Sequence, residues 1–316
     1  MAGKINWTMV AWRTVPRLPR RLIDGMFHLI ALGAWARRGK GVRQLERNLA
    51  RVRPDASPRA IRRLSRAGTV AYMRYYGEIF YLPTLTRAQV AARVRPIGVE
   101  VLQGAVAKGP NPPLALAHMG NWDMAGAWAS QAIGSVTTVA EHLSPEELYQ
   151  EFLQMRSAIG ITILPADRGR TFKPLLDAVT SGPPGIVPVL ADRDLSNRGL
   201  DVTMFGLPAR VAVGPAALAC RGEAPLFPLV VYSEKLRGKR RRAAGGPNGY
   251  VLEILPEVPH RPDLPPDQEV AAMTQGWVDA IEQVIAAHPA DWHMMQKVFV
   301  EDLDAAKDAT IRGTPT

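Results

Sequence analysis

His118 and Asp123 bracket the stretch His118-Met119-Gly120-Asn121-Trp122-Asp123, which follows the apolar run Pro113-Leu114-Ala115-Leu116-Ala117 and precedes a helix-type segment over 124–132. The spacing predicts a histidine at the end of a buried strand and a carboxylate in the first turn of the next helix. A carboxylate placed there can hold one ring nitrogen, fix the tautomer and leave the other nitrogen as a general base. Asn121 has the side chain of a helix N-cap, and the main-chain N–H groups behind it favour an anion, such as an oxyanion formed in a reaction. No serine or cysteine sits close to the pair in sequence. The simplest chemistry is therefore direct attack by an acceptor hydroxyl on an activated acyl carbonyl. Cys220, the one cysteine, lies in the apolar run Ala217-Leu218-Ala219-Cys220 and reads as a buried, inert thiol.

Two further carboxylates end apolar runs in the same way, Glu141 behind 136–140 and Asp192 behind 185–191. From residue 94 onward, short β-type runs at 94–99, 114–117, 136–140, 161–164, 185–191, 226–232 and 250–255 alternate with helical ones at 100–108, 145–159, 172–180, 214–220 and 273–287. That alternation predicts an α/β fold, with a central, mainly parallel sheet covered by helices on both faces. The last two strands suit an edge hairpin, with the basic residues Lys235, Arg237 and 239–242 at its exposed tip. In such sheets, ligands gather beyond the carboxyl ends of the strands. His118, Glu141 and Asp192 are expected to converge there. For Asp192 and Glu141, an N-cap or a structural ion pair is the competing reading. No HxxxH or HExxH spacing, Walker sequence or GxGxxG occurs, so no metal, nucleotide triphosphate or dinucleotide is expected.

The chain of 316 residues carries a formal charge of +10. Residues 1–70 hold 16 Lys and Arg against 3 acids, so the excess is entirely N-terminal. Such an arm suits nucleic acid or an anionic membrane surface. Within 5–40, Trp12, Leu18, Leu22, Ile23, Met26, Phe27, Leu29, Ile30 and Trp35 share short helices with arginines at both ends. This is the build of an amphipathic, interfacial helical arm, with a helix packed on its own domain as the competing reading; nucleic-acid binding would leave the polar strand ends unexplained. Helices are predicted over 41–53, ended by Pro54, and from Pro58 to about Phe80. No apolar stretch reaches 18 residues and no signal-peptide layout precedes the arm, so a peripheral protein with no transmembrane span is expected. One domain over 1–316 is expected, with a membrane-associating arm at 1–45 and an αβ core at 94–300.

The His-Met-Gly-Asn-Trp-Asp stretch resembles the HX4D signature of glycerolipid-type acyltransferases. Arg47-Asn48-Leu49 with Pro54, Gly98-Val99-Glu100, 118–123, 152–156, Ala191-Asp192, 205–209 with Gly214-Pro215-Ala216, and Trp292-x-Met294 follow the order seen in the late acyltransferases of lipid A biosynthesis. The likeness spans roughly 20–300. The stretches Asp192-Arg193-Asp194-Leu195 and Asp291-Trp292-His293-Met294 bring it nearest to the branch acting on phosphatidylinositol mannosides. The resemblance implies transfer of a fatty acyl chain, typically palmitoyl, from acyl-CoA as co-substrate to the 6-hydroxyl of a mannose. It implies a peripheral enzyme at the cytoplasmic face of the plasma membrane. His118 would be the base, Asp123 its orienting partner, and Asp192 a third catalytic group in contact with the histidine or the sugar. Asn121 and Glu141 would line the substrate site, with Arg156, Arg198 and Arg221 as candidates for CoA phosphates. Acylation of another glycolipid or phospholipid, or hydrolysis of acyl-CoA, are the rival activities.

Overall fold

The computed structural model describes residues 14–140, 145–165, 171–194 and 199–303. Three helices come first: α1 (Arg20–Arg37), α2 (Lys40–Val52) and α3 (Pro58–Ile79). Ser57 caps α3 by accepting from the Ala60 N–H at 3.3 Å, with Pro58 preset for the first helical position. The alternating part follows as α4 (Arg87–Arg93), β1 (Val94–Ile97), α5 (Val99–Lys108), β2 (Pro113–Leu116), α6 (Trp122–Ala132), β3 (Ser135–Ala140), α7 (Glu146–Ala158), β4 (Ile161–Pro165), α8 (Phe172–Thr180) and β5 (Gly185–Leu190). Next come β6 (Leu200–Met204), β7 (Leu207–Val211), α9 (Gly214–Gly222), β8 (Phe227–Lys235), α10 (Gly238–Ala244), β9 (Asn248–Ile254) and α11 (Pro266–Ala287).

Seven strands form one sheet in the order β1-β9-β8-β2-β5-β3-β4. All neighbours run parallel except β8 and β9. β1 and β9 therefore run against the other five. The expected α/β architecture, a mainly parallel sheet flanked by helices, is what the chain adopts. β2 lies between β8 and β5 with all four residues buried, which is why it reads as unbroken apolar sequence. Its side chains alternate between the two faces. Leu114 and Leu116 pack with Tyr75 and Ile79 of α3, Leu102 of α5 and Trp128 of α6. Ala115 and Ala117 pack with Ala216 and Ala219 of α9 and with Trp277 and Ile281 of α11.

Four expectations change. β8 and β9 do pair antiparallel, but inside the sheet, because β1 adds in parallel on the outer side of β9. The basic stretch between them is not a bare hairpin tip. It folds as α10 against α4, with Arg240 paired to Glu234 at 2.8 Å and donating to the Ala92 carbonyl at 3.2 Å. α11 starts at Pro266, seven residues earlier than its apolar spacing suggests, because Asp267, Gln268 and Glu269 make its first turn polar and none of its residues before Met273 is buried. The segment between Asp192 and α9 contains a hairpin, β6–β7, turned by Phe205 and Gly206. Both turn residues have φ above zero (52° and 73°), as a tight two-residue β-turn requires.

Candidate active site

His118 lies two residues beyond β2, and Asp192 lies two residues beyond β5. The register pairs Leu116 with Leu190, so the two strands deliver these side chains side by side. His118 Nδ1 is 2.5 Å from Asp192 Oδ1, and the His118 main-chain N–H donates to Asp192 Oδ2 at 2.9 Å. The Trp292 indole N–H donates to the same Oδ2 at 2.8 Å. Asp192 is 0% exposed, whereas the His118 side chain keeps 21% of its surface. Burial on its own would raise the Asp192 carboxyl. The His118 charge and ring, the Trp292 indole and the His118 amide outweigh it and hold the group below its ordinary value. An ionised Asp192 accepts only, so Nδ1 carries the proton and Nε2 is left with a lone pair. That is the arrangement of a histidine base with a buried orienting carboxylate.

Asp123 does not make this contact. Its Oδ1 accepts from Arg156 Nε at 2.8 Å, while its Oδ2 accepts from Arg156 Nη2 at 3.3 Å and from the Tyr75 hydroxyl at 2.8 Å. The first turn of α6 carries Asp123 toward α3 and α7, away from the ring five residues earlier. Burial would lower the Arg156 value, but Asp123 and Tyr75 overcome it, so the guanidinium stays charged. Tyr75 is pushed well above its ordinary value by burial and by Asp123, and stays a neutral donor. The contact with His118 expected of Asp123 is thus made by Asp192. Arg156, expected at a CoA phosphate, stands in a largely buried ion pair with Asp123 that ties α6 to α7.

Asn121 is also wholly committed. Its Oδ1 caps α6 by accepting from the Met124 N–H at 2.8 Å, and its Nδ2 donates to Glu78 at 2.6 Å. It is 0% exposed and sets the helix that follows His118 instead of lining a substrate surface. Gly120 could hardly be another residue. Its φ is 63°, and a Cβ would stand 2.3 Å from the Val231 carbonyl oxygen of β8. Arg221 is placed elsewhere: α9 runs back from the Asp192 end, and the adjoining Gly222 packs on Val179 and Thr180, near the start of β2 and β5. Glu141 and Arg198 lie outside the described residues.

Residues that local sequence patterns did not assign complete the surroundings. His293 donates its main-chain N–H to the His118 carbonyl at 2.8 Å, and its Nε2–H donates to the Gly120 carbonyl at 3.0 Å. Burial, then the nearby Arg74 and His118, bring its value down to about 3 against the pull of that carbonyl bond. Glu78, 0% exposed, accepts from Asn121 and from the Tyr250 hydroxyl (2.5 Å). Trp122 stands edge-on to His118 at 5.8 Å between ring centroids and packs on Tyr75 at 4.2 Å. The Asp291-Trp292-His293-Met294 run was a sequence signal for this wall, although not for what each side chain does.

A family model for bacterial lipid A biosynthesis acyltransferases matches residues 4–301, and this chain belongs to that family. It is an acyltransferase. Phosphatidylinositol mannoside acyltransferase of Mycobacterium tuberculosis (strain H37Rv) is 37% identical over 315 residues, covering 97% of this chain and 92% of the relative. The protein of the same name from Mycolicibacterium smegmatis is 35% identical over 302 residues, covering 95% and 92%.

Proposed function

We propose that this acyltransferase moves a fatty acyl chain, palmitoyl, from acyl-CoA to the 6-hydroxyl of a mannose in a phosphatidylinositol mannoside. The names of the two mycobacterial relatives support the acceptor. The Asp192–His118 pair carries the chemistry, since it leaves Nε2 of a partly exposed ring as the base. His118 takes the proton of the sugar hydroxyl as its oxygen attacks the thioester carbonyl. The buried Asp192 carboxylate stabilises the imidazolium that forms. As the tetrahedral intermediate collapses, the C–S bond breaks, CoA leaves as thiolate, and the imidazolium returns its proton to the sulfur. Asp123, Arg156 and Asn121 act through position, holding α6 behind the histidine.

The reaction takes place at the cytoplasmic face of the plasma membrane, with α1 lying in the interface. Leu22 and Leu29 of α1 are 59% and 69% exposed, and Leu18 and Ile30 are exposed as well. Arg20, Arg21 and Arg37 share the helix. Apolar side chains entering the acyl boundary with arginines at lipid phosphates is the pattern of a peripheral helix. No described helix is long and apolar enough to cross a membrane.

The test is incubation of the purified protein with labelled palmitoyl-CoA and a panel of membrane glycolipids, with product identification. A labelled mannolipid that disappears with His118→Ala is the expected result. Label on another glycolipid would move the acceptor assignment. Free palmitate formed equally fast with and without acceptor would indicate a thioesterase.

A further inference from the structure

A second polar site lies apart from His118. A cavity of about 330 Å³ is lined by Arg20 and Arg21 of α1, Arg93 at the end of α4, and Arg241 and Arg242 of α10. Asp24 is the one carboxylate in that lining, against five guanidiniums. Arg93 is 3% exposed. Its Nε donates to the Ala244 carbonyl at 3.2 Å, and its nearest carboxylate is Glu78 at a loose 3.9 Å. Arg20 and Arg93 both stand over the Tyr81 ring, at 5.5 and 5.7 Å. Among the described residues, Arg21, Arg241 and Arg242 make no ion pair. Three arginines elsewhere in the N-terminal helices do make one: Arg38 and Arg62 share Glu46, and Arg51 pairs with Asp302. Like charges drawn around one concavity repel, and an anion seated among them relieves that repulsion. Guanidiniums match phosphate oxygens in both charge and geometry.

The position says where such an anion would come from. Asn248 opens β9, and Arg93 directly precedes β1. Both strands run against β2, and Asn248 pairs with Lys235 at the far end of β8. The cavity therefore sits at the same end of the sheet as His118 and Asp192. One wall belongs to α1, whose Leu22 projects into solvent beside Arg21. A phosphate held here by a lipid would fix the catalytic end of the sheet toward the bilayer.

We infer that this cavity is a phosphate-binding pocket that seats the phosphate of a membrane-lipid headgroup and orients the enzyme on the surface. The assignment does not depend on which acceptor is acylated.

The test uses the full chain and two charge-matched double variants. Arg241→Gln with Arg242→Gln removes two pocket charges. Arg237→Gln with Lys239→Gln removes two charges from the same segment outside the lining. Co-sedimentation is measured on phosphatidylcholine vesicles with and without phosphatidic acid, and calorimetry follows inorganic phosphate. The expected result is a loss of roughly tenfold or more on phosphatidic acid vesicles for the pocket variant, against less than about threefold for the control. Arg20→Gln with Arg21→Gln, on the opposite wall, should repeat the pocket variant's loss, and matching melting curves exclude misfolding. Inorganic phosphate binding that depends on the pocket, with no difference on vesicles, would keep the pocket and overturn the lipid as its source. Equal losses in pocket and control variants, or no loss in either, would overturn the pocket itself.

Discussion

Asp192 and Asp123 are both nearly inaccessible, yet their partners give them different work. Asp192 faces the partly exposed His118 ring, whereas Asp123 faces Arg156 and Tyr75. Asp192→Asn would leave the packing in place but remove the charge that holds Nδ1–H, and acyl transfer should fall by about a thousandfold or more. The readout is kcat with palmitoyl-CoA on protein whose melting curve stays close to wild type. Asp123→Asn leaves a largely buried guanidinium without its counter-charge, a change that costs about 3 kcal/mol. Urea unfolding should show that loss directly, and a midpoint equal to wild type would remove Asp123 from the framework. His293 gives a pH signature. Its ordinary value is 6.5 and burial brings it to about 3, so in that interval the unfolded chain takes up a proton that the fold refuses. Its contribution to stability is complete above pH 6.5 and is lost progressively as pH falls toward 3. His293→Gln keeps an amide donor for the Gly120 carbonyl and removes the titration. The variant's unfolding midpoint should then change less between pH 7 and 5 than that of wild type, a comparison made in urea at each pH.

At the scale of elements, the join between β2 and α6 is tightly constrained. Gly120 turns the chain with positive φ while its N–H donates to the Asp291 carbonyl at 2.9 Å. Gly120→Ala would press a methyl group onto the Val231 carbonyl, so the strand end or β8 would have to move. The expected cost is about 3 kcal/mol or more, or failure to accumulate folded protein, checked by soluble yield and thermal unfolding. This element also shows what local sequence could disclose. The strand, the turn and the Asn121 cap were all legible, because each depends on neighbours in sequence. The partner of His118 was legible only in part: the strand ends were expected to bring Asp192 to the site, but that it rather than Asp123 holds the ring depends on β2–β5 pairing across 74 residues. Nearness in sequence favoured Asp123, while strand register decided otherwise. For the same reason the β6–β7 hairpin and α10 escaped periodicity. Both are short, and α10 is a basic helix whose support comes from α4 and Glu234 rather than from its own pattern.

Across the whole molecule, part of the N-terminal positive charge is internal. Arg38, Arg51 and Arg62 pair with Glu46 and Asp302, so that share belongs to the fold rather than to a partner. Arg20 and Arg21 on α1, with Arg241 and Arg242 from α10, are the charges gathered round the proposed pocket. They gather at the end of the sheet that carries His118. Attachment and catalysis should therefore separate experimentally. Binding to anionic vesicles should weaken about tenfold as salt rises from low to several hundred millimolar, because exposed charges are screened while internal pairs are not. Leu22→Ser with Leu29→Ser should weaken vesicle binding at every salt concentration without altering that slope, since it removes apolar insertion and leaves the charges. His118→Ala should bind vesicles as wild type does and transfer no acyl chain. Flotation at two salt concentrations, run beside the acyl transfer assay on the same preparations, checks all three. A His118 variant that loses vesicle binding would mean that the catalytic ring itself forms part of the membrane contact.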